Sequence, residues 1–235
     1  RAIVGHPLGT LYGTGSKTDG AGNFDLNSNG FPQITSSPIV LGDPNPDWRA
    51  GVSLNMRYKK WRLNAVLEHS EGGEFSPRTL WVLNRFGTTA ETANRLTLDQ
   101  PLVNFKGNTI AAGTTVRGNI KDFGGGPVLL DENWYRTGIG GGFGDNQAYN
   151  FSIADATWTK LRDLSLSYVL DNSRIKSLGL NDVILTFTGR DLININEVGG
   201  LDPEINTKGV SVAQGIEYFT NPQTTGFLFS LTINY

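Results

Sequence analysis

The chain has 235 residues and a formal net charge of -2, and 18% of its residues are charged. Its lysines and arginines are scattered, which excludes the basic surface that nucleic-acid binding requires, so no nucleic-acid partner is predicted. Cysteine is absent, which excludes a disulfide framework and a thiolate metal site, and no apolar run is long enough for a transmembrane helix.

Residues 1–50 show no sustained alternation and are predicted to form a loop region. Within it, "DLNSNG" places oxygen-bearing side chains at Asp25, Asn27 and Asn29, followed by Gly30, as in the first half of a calcium loop. The last ligand position is Ser36 instead of a glutamate. A calcium site and a plain Asx-rich turn are therefore the two alternatives, and no other cofactor is predicted.

The next segments alternate apolar and polar residues with the period of a β-strand. "VSLNMRY" and "WRLNAVLE" are joined by Lys59 and Lys60, which predicts a hairpin with a two-residue turn. One face of this hairpin is apolar because alternate side chains point to the same side. Its members are Val52, Leu54, Met56, Tyr58, Trp61, Leu63, Ala65 and Leu67.

Three more alternating strands follow the long Gly-rich segment 71–156, and a second long segment, 194–226, separates the last two. The strands are "LSLSYVL", "VILTFT" and "FLFSLTINY". Their apolar faces consist of Leu164, Leu166, Tyr168, Leu170, Val183, Leu185, Phe187, Phe227, Phe229, Leu231, Ile233 and Tyr235.

Charged residues interrupt this pattern just before the third strand. Extended upstream, the strand places Trp158, Lys160 and Arg162 on the apolar side. Charges are costly there. Either the apolar band begins after Arg162 or a β-bulge shifts the register.

The pattern as a whole indicates strands that separate two media. The apolar face covers the core in a soluble β-sandwich and contacts lipid in an outer-membrane barrel. Short and long connections alternate, and the aromatic residues Tyr58, Trp61, Tyr168 and Tyr235 gather at the short-turn end. Both features are typical of outer-membrane barrels, so the apolar faces are predicted to be membrane-facing.

The remaining motifs do not indicate catalysis. "TGIGGGFGD" (137–145) lacks the spacing of a phosphate-binding loop and is predicted to be a flexible loop. The adjacent His69 and Ser70 point to opposite faces of a strand, which argues against a catalytic triad. Several loop aromatics are predicted either to stack on sugars or line a partner contact, or to pack within their loops. These are Trp134, Tyr135, Phe143, Tyr149 and Tyr218.

Six blocks, in one order along nearly the whole chain, carry a family resemblance. They are "VGHPLGTLYG" (4–13), "LGDPNPDW" (41–48), "YKKWRLNAVLEHSEGGEF" (58–75), "DATWTKLRDLSLSYVL" (155–170), "GRDLININEVGGLDPEIN" (189–206) and the terminal strand. Their order and spacing resemble the C-terminal part of SusC-like (SusC/RagA family) TonB-dependent outer-membrane transporters.

The resemblance implies an all-β fold, a transmembrane antiparallel β-barrel segment. The complete barrel would have about 22 strands and an N-terminal plug, with this chain supplying the last five strands. Residues 1–50 would be an extracellular loop region. Residues 51–235 would hold the C-terminal strands, with extracellular loops at 71–156 and 194–226.

The resemblance also implies a non-enzymatic function in the outer membrane of a Gram-negative bacterium. It implies a multi-pass importer of oligosaccharides or peptides whose partners are a SusD-like surface lipoprotein, the TonB system, the rest of the barrel and lipid. A structural scaffold within a larger outer-membrane complex is the alternative. The terminal strand would carry the barrel-assembly signal, formed by Phe227, Phe229, Leu231, Ile233 and Tyr235.

Overall fold

The computed structural model describes residues 2–137, 139–140, 147–205 and 214–235. The chain divides into two compact units. The sheet unit comprises Pro46–Gly73, Asp155–Glu204 and Asn221–Tyr235. The loop unit comprises Arg1–Asn45, Glu74–Ala154 and Ile205–Thr220.

The secondary structure is mostly short and long β-strands with a few short helices. In chain order the elements are β1 (Leu11–Gly13), β2 (Ile39–Gly42), β3 (Trp48–Tyr58), β4 (Trp61–Glu71), β5 (Glu74–Pro77), α1 (Arg78–Phe86), α2 (Ala90–Ala93), β6 (Arg95–Thr97), β7 (Leu102–Val103), β8 (Thr109–Ile110), β9 (Thr115–Arg117), β10 (Asn119–Asp122), β11 (Pro127–Leu130), α3 (Glu132–Thr137), a 3-10 turn (Tyr149–Ser152), β12 (Ala154–Asp155), β13 (Trp158–Leu170), α4 (Ser173–Ser177), β14 (Asp182–Asn196), β15 (Ile216–Glu217) and β16 (Gly226–Asn234). Among the described residues, no helix is long and apolar enough to cross a membrane.

The sheet unit is built on a five-stranded antiparallel sheet with the order β16-β14-β13-β4-β3. All five predicted strands are present, and several are longer than predicted. β3 begins at Trp48, before the predicted boundary at residue 51, and β14 runs to Asn196, past the predicted loop start at 194. The β3–β4 hairpin turns at Lys59, whose φ of 53° lies in the left-handed region that tight turns require.

A β-bulge interrupts β13 at Arg162. The pairing of β13 with β4 passes from Leu161↔Leu67 to Asp163↔Val66, so Arg162 is an extra residue. The upstream part of β13 is thereby turned over, because a shift of one residue moves every side chain to the other face. Of the two predicted explanations for the interrupted apolar pattern, the structure shows the bulge.

The loop unit contains more structure than the sequence pattern indicated. Segment 71–156 lacks sustained periodicity, yet the described part contains α1, α2, α3 and several two-stranded pairs. Its core is largely aromatic and includes Phe31, Phe123 and Trp134, which are 0%, 6% and 3% exposed. Long-range packing of aromatic rings, which leaves no periodic signal in the sequence, therefore organises these loops.

Candidate functional site

The apolar residues of the five long strands form continuous rows across one face of the sheet. One row runs Met56, Leu63, Leu166, Phe187 and Phe229 through successive strand pairs. The pairing places the other predicted membrane-facing residues within the strands on the same face. These are Val52, Leu54, Tyr58, Trp61, Leu67, Leu164, Tyr168, Leu170, Val183, Leu185, Phe227, Leu231 and Ile233.

Most of this apolar face is open in the sheet unit. Met56, Phe187 and Phe229 are 55%, 52% and 68% exposed, and Tyr235, just beyond β16, is 94% exposed. Val183 differs, with 8% exposure. The connection between β13 and β14 includes the short helix α4, which contacts β14.

The opposite face of the sheet is polar and hydrogen-bonded across strands. The hydroxyl oxygens of Ser165 and Thr188 lie 2.9 Å apart, and those of Ser167 and Thr186 lie 2.8 Å apart. Because the bulge turns over the start of β13, Lys160 lies opposite Glu68 on this face and away from the apolar rows. The two faces therefore differ in chemistry along the whole sheet.

A buried charge cluster lies on the polar face, where β13 meets the segment that follows β14. The ammonium nitrogen of Lys160 lies 2.7 and 2.6 Å from the two carboxylate oxygens of Asp202 and 2.7 Å from Oε2 of Glu204. It also lies 4.9 Å from the centre of the Trp158 ring. Arg162, at the bulge, binds Glu204. The cluster ties residues 202–204 to the sheet.

The electrostatics of the cluster favour the ionised form of Glu204. Burial alone raises the pKa of the Glu204 carboxyl, but hydrogen bonds from Arg162 and Lys160 outweigh burial and lower that pKa to about 2. The Lys160 and Asp202 side chains are 1% and 5% exposed. A buried ion pair of this kind is kept only with close geometry and several partners, and both conditions are met here.

The sequence pattern identified part of this cluster but not its role. It showed that Lys160 and Arg162 conflict with the apolar face. It did not connect Lys160 with Asp202 or Arg162 with Glu204. The members of each pair are 42 residues apart along the chain. The one available signal was the pair of unneutralised cations in an otherwise apolar strand, since such charges need acidic partners.

The predicted calcium segment forms an Asx-rich turn. The side-chain oxygen of Asn27 accepts hydrogen bonds from the backbone N–H groups of Asn29 and Phe31, at 2.9 and 3.1 Å. Asp25 accepts a bond from the side chain of Gln33, and Gly30 has a φ of 82°. The oxygen of Asn27 is thus used to hold the turn, as expected for the Asx-turn alternative.

The loop aromatics divide between packing and exposure. Trp134 and Tyr135 are buried in the aromatic core, so loop packing accounts for both. Tyr149 packs against Trp81 with ring centres 5.6 Å apart, whereas Tyr218 is 41% exposed. Phe143, and most of the "TGIGGGFGD" segment, lie outside the described residues.

The sheet has two edges within the described part of the chain. β3 and β16 are the outer strands of the sheet, and every residue of β3 is exposed. An edge strand presents unpaired backbone N–H and C=O groups along its length. The sheet can therefore be extended on both sides.

Comparisons with known proteins match this chain to a TonB-dependent receptor and to structures of a peptide importer. No protein-family model matches the chain. It is 25% identical to the TonB-dependent receptor P3 of Formosa agariphila over 97% of its own length and 20% of that receptor. The chain thus spans about a fifth of the length of this relative.

Solved structures show the same fold. The structure of the RagAB peptide importer in the closed-closed state matches 96% of the chain and 23% of its own chain, with a TM-score of 0.53 and 14% identity. A second structure, of the RagAB peptide transporter, gives a TM-score of 0.54 over the same shares, also at 14% identity.

The predicted resemblance to SusC-like TonB-dependent transporters is thereby confirmed, because the chain matches one part of a TonB-dependent receptor and one part of the RagAB structures. These proteins are a receptor and a peptide importer, which agrees with the prediction of a non-enzymatic function.

Proposed function

We propose that the chain is the C-terminal barrel segment of an outer-membrane importer driven by TonB. The observation that carries the proposal is the sheet with one open apolar face and one polar face. Such a sheet suits the wall of a barrel between lipid and a wet lumen. The match to a TonB-dependent receptor supports the same assignment.

The apolar rows are the lipid-facing surface in this proposal. The row through Met56, Leu166 and Phe229 lies inside the hydrocarbon layer. Tyr58, Trp61 and Tyr168 lie near the short-turn end, where an aromatic girdle belongs. Trp61 and Tyr168 are adjacent, with ring centres 4.6 Å apart. The short turns then face the periplasm, and segments 71–156 and 194–226 are extracellular loops.

The rest of the barrel is the first partner of this segment. Unpaired edges are not tolerated in lipid, because each unsatisfied backbone group there costs several kcal/mol. β3 and β16 must therefore each pair with further strands of the complete receptor. A barrel of about 22 strands, with a plug that contacts the TonB system, provides those partners.

A SusD-like surface lipoprotein is the proposed partner at the extracellular mouth. The supporting observation is the match to the structures of the RagAB peptide importer. The ligand class follows from the same resemblance and comprises oligosaccharides or peptides. Terminal residues Phe227, Phe229, Leu231, Ile233 and Tyr235 are proposed to act as the barrel-assembly signal.

Uptake by living cells tests the proposal. Cells with and without the gene for the full receptor are supplied with fluorescent oligosaccharides and peptides, and the accumulated label is measured with TonB present and deleted. Uptake that requires both the receptor and TonB supports an importer. Unchanged uptake, together with loss of a larger outer-membrane complex on native gels, indicates the scaffold function instead.

A further inference from the structure

A cavity of about 380 Å³ lies within the loop unit. This volume falls in the range of small-molecule sites. Its walls combine the Trp81 and Tyr149 rings, tilted by 36° to each other, with aliphatic side chains such as Leu11 and Leu41. The cavity therefore offers an apolar surface on which the flat face of a ligand can pack.

Two nitrogen donors on residues that line this cavity have no acceptor in the described part of the chain. They are Nε1 of Trp81 and Nε of Arg78, and both nitrogen atoms are buried. Trp81 as a whole is 4% exposed. The two residues are three apart on α1, so they lie on the same side of this helix. Buried donors without a partner are costly and call for an explanation at this wall of the cavity.

The charge of Arg78 is also unbalanced among the described residues, since no carboxylate there lies within ion-pair distance of it. The nearby carboxylate of Glu217, 1% exposed, is already occupied. Its oxygens accept hydrogen bonds from the backbone and hydroxyl of Thr79 and from Thr220. Arg78 is the charged member of the cavity lining. An anionic oxygen is therefore the acceptor that this wall favours.

We propose that this cavity binds a carboxylate group of a small ligand. The Arg78 guanidinium donates to the carboxylate oxygens, and the body of the ligand packs against Trp81 and Tyr149. The identification of this ligand as imported cargo rests on the proposed function. The binding site itself depends only on the loop unit.

Such a carboxylate has two sources in the proposed ligand class, an acidic sugar and the C-terminus of a peptide. Four probes distinguish them. These are a glucuronic-acid oligosaccharide, a neutral glucose oligosaccharide, a short peptide with a free C-terminus, and the same peptide as its C-terminal amide.

The full receptor, purified in detergent, is titrated with each probe by calorimetry. We expect the acidic sugar or the free peptide to bind. Its neutral counterpart should bind at least about tenfold more weakly, because it lacks a charged hydrogen bond to Arg78. Arg78→Gln should weaken binding by about tenfold or more, and Trp81→Phe by roughly threefold to tenfold through the loss of aromatic packing surface. Trp134→Phe and Arg95→Gln make the same changes outside the cavity and should leave affinity unaltered.

Three results would overturn the site: no binding of either carboxylated probe, equal binding of the neutral probes, or unchanged affinity in both cavity variants. Thermal melting of each variant shows whether it is folded, and a variant that melts early is replaced by Arg78→Lys, which keeps the charge but not the planar fork. Binding without TonB-dependent uptake supports the site and refutes the importer. Uptake without binding does the reverse.

Discussion

Replacement of Lys160 by methionine tests the buried charge cluster most directly. Methionine keeps most of the length and apolar stem of lysine but removes the ammonium group that contacts Asp202 and Glu204. Glu204 retains Arg162 as a partner. Asp202 loses its cation while its side chain is 5% exposed. The variant thus leaves a carboxylate buried without a counter-charge.

The expected cost follows from this burial. Breaking a buried ion pair by removing one partner typically costs about 3–5 kcal/mol, because the remaining charge is uncompensated. Loss of the contact between the ammonium group and the Trp158 ring, at 4.9 Å, adds to this. A change of about 3–5 kcal/mol in local opening corresponds to roughly 150- to 5,000-fold faster exchange of the protected amides.

Hydrogen exchange of the full receptor, followed by mass spectrometry of the peptide covering residues 197–205, measures this opening. The exposed pair Lys60–Asp171 provides the matched control, since its side chains are 43% and 48% exposed. Lys60→Met should have little effect on exchange at its own site, because exposed ion pairs contribute little.

A double variant, Lys160→Met with Asp202→Asn, separates the missing cation from the stranded anion. Because the main cost is the uncompensated charge of Asp202, the double variant should recover most of the lost protection. Less than about tenfold faster exchange in Lys160→Met, or an equal loss in the double variant, would show that the cluster does not hold this segment.

Three further measurements test the sheet and the cluster. Leu54 and Asn55 are neighbours on opposite faces of β3. In urea unfolding from lipid vesicles, Leu54→Arg should destabilise the receptor by about 2–4 kcal/mol if it lies near the bilayer midplane, and Asn55→Arg by much less. Equal costs for the two variants would contradict the assigned faces. Tyr235→Ala should reduce the heat-modifiable folded receptor in outer-membrane fractions while Thr232→Ser does not, and normal levels in both would refute the assembly signal. The pKa of Glu204 is lowered from 4.5 to about 2 in the folded state, so the folded state holds fewer protons than the unfolded state. The contribution of Glu204 to stability is therefore complete above about pH 4.5 and is lost as the pH falls towards 2. Urea midpoints measured at about pH 7, 5 and 3 should fall only between about pH 5 and 3, and Glu204→Gln should lack this step.

The strands and their two faces could be predicted from the sequence because a strand is a local, periodic object. Alternation at residues 52–68 fixes which side chains share a face, and the turn at Lys59 and Lys60 fixes the register of the hairpin. All the predicted apolar residues within the strands lie on one face of the sheet. The low exposure of Val183, 8%, could not be predicted from this alternation.

The bulge at Arg162 was determined only in part by the sequence. Charges at Lys160 and Arg162 showed that the apolar pattern ended or shifted there. The choice between the two depended on pairing with β4 and β14, which is a property of neighbouring strands and not of β13 alone. The acidic partners Asp202 and Glu204 could be identified only from the tertiary structure, which places them in contact with Lys160 and Arg162.

The structure of the loop unit was the part of the fold that the sequence pattern predicted least. Its core brings Phe31 next to Trp134, with ring centres 5.5 Å apart, and its cavity joins Leu11 with Trp81 and Tyr149. These contacts link residues far apart along the chain. Periodicity reports only on side chains that neighbour one another within a single element, whereas irregular loops are held by long-range packing and hydrogen bonds. The sequence therefore determined the two-sided sheet, and the tertiary structure alone decided the charge cluster, the aromatic core and the cavity.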